Sequence, residues 1–160
     1  MATEIERKFL VTDDAWRAHV TATTRYRQGY LAGGRESASV RVRIGDGAAH
    51  LNIKGATVGV SRAEYEYAIP LADAEEMLDT LCTGPLVEKT RYHVEHAGHL
   101  WEVDVFEGDN AGLVVAEIEL ESAGESFEIP PWAGADVSHD ARYYNAALAR
   151  APYNTWGPRG

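Results

Sequence analysis

Near the amino terminus, the run Glu4-Ile5-Glu6-Arg7-Lys8-Phe9-Leu10-Val11 places two carboxylates and an ammonium at strictly alternate positions. In a β-strand, side chains at i, i+2 and i+4 point to one face. Glu4, Glu6 and Lys8 would therefore line one side of a rigid element. Paired carboxylates held in this way can take a divalent metal, because hard cations choose oxygen ligands. Alone, the run would better suit a solvated edge strand with scattered charge. It is not alone.

Six further segments carry charge at alternate positions. Arg41 and Arg43 alternate with Val40, Val42 and Ile44. Asn52 and Lys54 alternate with Leu51 and Ile53, and Arg62, Glu64 and Glu66 with Ala63, Tyr65 and Tyr67. Lys89 and Arg91 share a face. Glu102 and Asp104 alternate with Trp101, Val103 and Val105, and Glu117 and Glu119 with Ala116, Ile118 and Leu120. Period-2 alternation is the mark of a strand with one wet and one buried face. A solvated sheet face explains the alternation but not the sorting. The charges come mostly as acid–acid or base–base pairs, and like charges two residues apart repel. A site that holds metal ions and a polyanion supplies a reason: carboxylate pairs take the metal, while Arg grips phosphate bidentately and Lys as a point charge. Closing such strands into a barrel removes exposed edges and turns the charged face into a lumen. The apolar face would then lie outside, covered by helices or a partner.

The opening run resembles the E-x-E-x-K signature of the CYTH superfamily, the triphosphate tunnel metalloenzymes. The likeness continues through R-Q-G-Y-L at 27–31, V-R-V-R-I at 40–44, L-N-I-K-G at 51–55, R-A-E-Y-E-Y-A-I-P at 62–70, V-E-K-T-R-Y at 87–92, W-E-V-D-V-F at 101–106 and V-A-E-I-E-L at 115–120, and ends with P-P-W-A-G at 130–134 and D-A-R-Y-Y-N at 140–145. The chain resembles the short bacterial branch, whose members include inorganic triphosphatases. The resemblance implies a mainly β fold, an α+β chain of about eight antiparallel strands closed into a tunnel with a few flanking helices. It implies one domain over residues 1–150 followed by a tail over 151–160. It implies that Glu4, Glu6, Glu117 and Glu119 bind the catalytic metal, Mg²⁺ or Mn²⁺, with Glu64, Glu66 and Asp104 near a second one and Glu102 close by. Arg41, Arg43, Lys54, Lys89 and Arg91 would grip the triphosphate, with Arg62 and Arg142 as further phosphate contacts. Lys8 and Tyr30 would act together beside the reacting phosphate, with Glu6 in the catalytic set. The family's last helix lies at the tunnel, where it could gate entry.

Composition agrees with one domain. The chain has 160 residues, enough for a sizeable core. Its net charge of −10 argues against broad nucleic-acid binding, which wants a basic surface. No apolar run approaches a membrane span, and the first residues lack a signal peptide's apolar core. The single cysteine, Cys82, reads as a core thiol and points to the cytosol. The six histidines show no H-x-x-x-H spacing. A small-molecule triphosphate partner and a monomer or homodimer complete the expectation. Short helices are expected from Thr12-Asp13-Asp14 to about Val20, from Leu71-Ala72-Asp73 to Leu81 with Gly84-Pro85 as a stop, and from Ala141 to about Arg150 behind Ser138-His139-Asp140. Gly33-Gly34, Gly45-Asp46-Gly47 and Gly98 read as hairpin turns.

A triphosphate repels anionic nucleophiles. Metal ions and the Arg/Lys set would neutralise it, and a water polarised by metal or deprotonated by a glutamate would attack the terminal phosphorus, giving orthophosphate and diphosphate. The same site could serve thiamine triphosphate or nucleotides, including ATP cyclisation, or bind polyphosphate without turnover. A base would need aromatic groups at a tunnel mouth. Trp101, Tyr65 and Trp132 are available, although packing explains each more simply.

Overall fold

The computed structural model describes residues 3–32, 38–56, 58 and 60–156. Most belong to nine strands: β1 (Thr3–Val11), β2 (Val20–Ala32), β3 (Ser39–Gly45), β4 (Ala48–Lys54), β5 (Ser61–Ile69), β6 (Thr83–His96), β7 (His99–Glu107), β8 (Val114–Glu119) and β9 (Ala133–Asp136). Their order is β5-β4-β3-β2-β6-β7-β8-β1-β9, with a further pairing of β1 to β5. That pairing, Glu4 opposite Arg62 and Ile5 opposite Ser61, closes eight antiparallel strands into a barrel. The far half of β1 turns instead to β9, so one strand serves as both seam and scaffold. In a ring of eight, β3 lies across the lumen from β8, and β2 across from β1.

All seven segments of alternating charge are strands. β2 and β9 escape that test. The lumen-facing residues of β2 include Tyr26, Gln28 and Tyr30, which are polar or aromatic but uncharged, and β9 is a short Ala-Gly-Ala-Asp. The turns at Asp46-Gly47 (φ 52° and 73°) and Ala97-Gly98 (φ 49° and 80°) have positive φ at both central residues, as a type I′ hairpin demands. Gly45 belongs to β3 rather than to the turn. The expected Gly33-Gly34 turn lies outside the described residues.

The helices depart from expectation in instructive ways. The first is a 3-10 turn, Ala15–His19, entered through Asp13, whose Oδ1 accepts from the Ala15 amide at 2.8 Å. α1 (Leu71–Thr80) follows Pro70 and has no side-chain cap. It ends before Gly84-Pro85, which lie inside β6. The last helix is broken in two. A 3-10 turn, Ala141–Tyr143, is followed by an extended Tyr144 and then α2 (Asn145–Arg150). The break frees the Tyr143 carbonyl to accept from Lys8 Nζ at 3.2 Å.

Apolar side chains gather in three places. Outside the barrel, Phe9, Trp101, Val103, Ile118 and Trp132 pack with Trp16 over β1, β6, β7 and β8. Also outside, Val42 and Ala49 pack beneath Ala74 and Leu78 of α1, with Cys82 at the margin. Tyr65 and Tyr67, on the outer face of β5, stay exposed, so that part of the wall has no cover. The third cluster is inside. Tyr30, Val87, Phe106 and Val115 share strand faces with Gln28, Lys89, Asp104 and Glu117, and they pack with Leu148 and Ala149 of α2. The inward face therefore changes from charged to apolar along the axis, and α2 plugs the apolar end. Gly84 makes the plug possible. A Cβ there would come within 2.7 Å of the Ala149 carbonyl oxygen, and its φ of 73° also suits glycine. From the tail, Trp156 packs its ring 5.2 Å from that of Tyr143.

Candidate active site

The charged half of the lumen encloses a cavity of about 240 Å³. Glu4, Glu6, Tyr30, Arg41, Arg43, Lys54, Arg62, Glu64, Glu66, Lys89, Arg91, Glu117 and Glu119 line it, together with Glu102. Three residues expected at the site do not line it. Lys8 faces a smaller adjoining space bounded by Glu4, Glu6, Arg62, Ser138 and Tyr144. Asp104 is buried beneath the wall. Arg142 lies outside the lumen altogether, with its guanidinium donating to Asp140 at 2.7 Å and its side chain 63% exposed. Lining residues that the charge pattern did not indicate are Tyr26, Ser39, Asn145 and Ala146.

The ion pairs divide the wall into structural and free charge. Lys89 Nζ donates to Asp104 Oδ2 at 2.7 Å, and Arg91 reaches both Asp104 oxygens at 2.8 and 2.9 Å. Arg91 also reaches Glu102 at 3.1 Å and Glu117 at 3.5 Å. Asp104 is thus a buried anchor held by two cations, and this explains why it does not face the cavity. Burial opposes its charge, but Arg91 and Lys89 hold its carboxyl below the usual range. Burial also pushes the Lys89 ammonium down to about 7, with Arg91 and Arg43 adding to the effect and Asp104 resisting. Lys8 pairs with Glu117 at 3.2 Å from the plug side. At the seam, Lys54 and Arg62 pair with Glu4 at 3.0 and 2.7 Å. Burial would raise Glu4, but a hydrogen bond with Glu64 and the two cations bring it to about 2. That hydrogen bond and burial raise Glu64.

Two guanidiniums have no carboxylate partner among the described residues. On β3, Arg41 Nε meets only the Asn52 amide oxygen at 3.4 Å, and Arg43 Nε meets the Gln28 amide oxygen at 2.9 Å. Among the described residues, neither guanidinium is in an ion pair. Burial, with Arg41 and Arg91 close by, pushes Arg43 down to about 9. Across the lumen, acids oppose acids. Glu6 faces Glu119 between β1 and β8, and Glu102 faces Glu117 between β7 and β8. Directly opposed like charges destabilise a sheet. Burial and the Glu117 and Glu4 charges push Glu6 up to about 7, and burial with Glu4 and Glu102 raises Glu119.

This donor set suits a hard divalent cation. Glu6, Glu117 and Glu119 offer oxygen ligands whose mutual repulsion a cation would relieve. Among the described residues no three acidic, histidine or cysteine side chains yet converge closely enough to ligate one. The cations already seated on Glu4 and Glu117 hold the carboxylates apart.

Gln28 and Asn145 tie the free guanidinium to the plug. Gln28 Nε2 donates to Asn145 Oδ1 at 2.9 Å, and Lys89 Nζ donates to the same oxygen at 3.0 Å. Gln28 is fully buried, and Asn145 opens α2. An uncharged amide gives no signal in a search for charge pairs. The R-Q-G-Y-L run was the one mark on Gln28, and D-A-R-Y-Y-N the one on Asn145.

Comparison with known proteins agrees with this architecture. An inorganic triphosphatase of Acetivibrio thermocellus is 44% identical over 156 residues, spanning 98% of this chain and 99% of that protein. An inorganic triphosphatase of Nitrosomonas europaea is 41% identical over 151 residues, spanning 92% and 97%. The crystal structure of an inorganic triphosphatase superposes with a TM-score of 0.68 at 36% identity, covering 93% of this chain and 95% of that one. The CYTH domain model matches residues 2–145, which span all nine described strands and end at the first residue of α2, and the chain belongs to the CYTH domain family.

Proposed function

We propose that this protein is an inorganic triphosphatase that hydrolyses tripolyphosphate to diphosphate and orthophosphate. The observation that carries the reading is the division of charge across one cavity. The guanidiniums of Arg41 and Arg43 on β3, in no ion pair among the described residues, face the acids Glu117 and Glu119 on β8. A linear polyanion bridges those two walls only when a cation sits between it and the acids. The relatives named above, similar along nearly their full length, support the same substrate class.

In this reading Arg41 and Arg43 grip phosphate oxygens in fork geometry, and Lys54 and Lys89 supply point charges. Glu6, Glu117 and Glu119 would hold Mg²⁺ or Mn²⁺, with Glu4 and Glu102 beside them. The cation, when bound, supplies charge neutralisation at the phosphate oxygens and polarises water. Lys8, paired with Glu117 from the plug side, positions that carboxylate. Tyr30 shares the lumen wall with Arg62 and is close enough to interact with it electrostatically. A water attacks the terminal phosphorus in line and loses its proton to a carboxylate of the acidic wall, while the diphosphate leaves along the guanidinium wall. Arg142, engaged with Asp140 outside the lumen, has no part in this scheme.

Nucleotide and thiamine esters need a face for a base; of the rings that line the cavity, Tyr26 already carries Arg43 and Tyr30 packs into the inner apolar cluster, and the other candidate rings are elsewhere. Trp101 and Trp132 are in the outer core, and Tyr65 points to solvent. No described helix is long and apolar enough to cross a membrane, and we place the enzyme in the cytosol on its lone cysteine.

The test is phosphate release with Mg²⁺ or Mn²⁺ from tripolyphosphate, ATP, thiamine triphosphate and diphosphate in parallel. Strong preference for tripolyphosphate supports the reading. Preference for an ester would reassign the substrate, and full activity in excess chelator would remove the metal from the scheme.

A further inference from the structure

Arg43 is a partly buried cation with like-charged neighbours and, among the described residues, no carboxylate partner, yet it is aimed into the cavity. Among the described residues, groups other than an anion hold it there. Its guanidinium carbon stands 4.3 Å from the centre of the Tyr26 ring, and that of Arg91 stands 5.6 Å from the same ring. Tyr26 is paired with Gly45 on β3 and with Lys89 on β6, so Arg43 and Arg91 occupy the diagonal positions on its two sides. Gly45 seats the ring. A Cβ at that position would lie 2.5 and 2.6 Å from ring carbons of Tyr26, so the ring occupies the space that a side chain at 45 would need. A larger residue at 45 would drive it off.

We propose that Tyr26, seated on Gly45, is a positioning residue that holds the Arg43 guanidinium in the cavity, beside Arg91, ready for the phosphate chain. The inference rests on the triphosphatase reading above. The physical reason lies in what an aromatic face can do that a carboxylate cannot. The negative face of the ring attracts a guanidinium while leaving its charge and its N–H fork free. A carboxylate there would neutralise the cation and compete with the substrate. Arg91 illustrates the alternative, since Asp104, Glu102 and Glu117 already engage its donors. Arg43, held by a ring and one amide oxygen, keeps its charge for the ligand.

The test replaces Tyr26 with Phe and then with phenylalanines carrying increasing numbers of fluorines. The series keeps the ring's shape while withdrawing its negative face. We expect Tyr26→Phe to keep the wild-type KM for tripolyphosphate. KM should then rise stepwise with fluorination, by roughly 3- to 30-fold over the series, the range expected for one cation–π contact, with kcat little changed. Tyr26→Leu should match the fully fluorinated member. A KM that ignores fluorination, or a Tyr26→Phe variant as impaired as Tyr26→Leu, would overturn the proposal. Wild-type protein that releases no phosphate from tripolyphosphate would instead sink the functional reading beneath it. The two failures are therefore distinct.

Discussion

Replacing Glu6 with Gln should make the metal-free protein more stable while removing its chemistry. Glu6 is opposed by Glu119 across the strands, and burial with the Glu117 and Glu4 charges lifts its carboxyl to about 7 from an ordinary 4.5. A carboxyl raised by folding contributes stability that is fully present below pH 4.5 and is lost as the pH climbs through 7. At pH 8 the folded chain carries a charge that it resists. The displacement corresponds to at most about 3.4 kcal/mol, at about 1.36 kcal/mol per tenfold in proton affinity. Solvent reaches a side chain 24% exposed, and screening reduces the penalty to roughly 1–2 kcal/mol. Glu6→Gln removes that penalty. For a chain of this size each kcal/mol moves the midpoint by about 2–4 °C, so a gain of roughly 2–8 °C is expected at pH 8 in chelator. The gain should vanish near pH 4, where Glu6 is protonated in both states. Added Mg²⁺ should raise the wild-type midpoint by mass action and leave the variant nearly unmoved. The assay is thermal unfolding at both pH values, with chelator or with Mg²⁺. A variant less stable than wild type at pH 8 in chelator, or a gain independent of pH, would refute the electrostatic reasoning.

Arg43→Ala and Arg91→Ala should fail in opposite ways. Arg43 is in no ion pair among the described residues, so its loss should raise KM roughly 10- to 100-fold, the worth of charge-assisted contacts to phosphate, with little change in melting. Arg91 covers buried Asp104, so its loss should cost about 3 kcal/mol and lower the midpoint by roughly 6–12 °C. Circular dichroism melts beside steady-state kinetics will separate the two. Arg142→Ala should leave kcat and KM within about twofold of wild type, because its guanidinium is exposed and engaged outside the lumen. A large kinetic defect there would mean that the plug region swings inward during turnover.

The barrel was legible because charge and period-2 alternation coincide in β1 and in β3 to β8, strands whose lumen face is polar. β2 was not legible on that basis, since Tyr26, Gln28 and Tyr30 put rings and an amide where its neighbours put charge. The break at Tyr144 was not legible either. It answers to Lys8, a residue far away in sequence that uses the Tyr143 carbonyl. Within the site, like-charged pairs marked the walls but not which charges were spent. Asp104 and Glu119 look alike in sequence, each one of an alternating acid pair. Register and depth separate them: one is buried under Lys89 and Arg91, the other lies at the open end facing Glu6.

The most direct test of the account is a ³¹P NMR time course of tripolyphosphate with the protein and Mg²⁺. The account predicts orthophosphate and diphosphate appearing in equal amounts, no later consumption of diphosphate, and no conversion by Glu6→Gln. Tripolyphosphate that binds and stays intact would contradict it and make the cavity a binding site without chemistry.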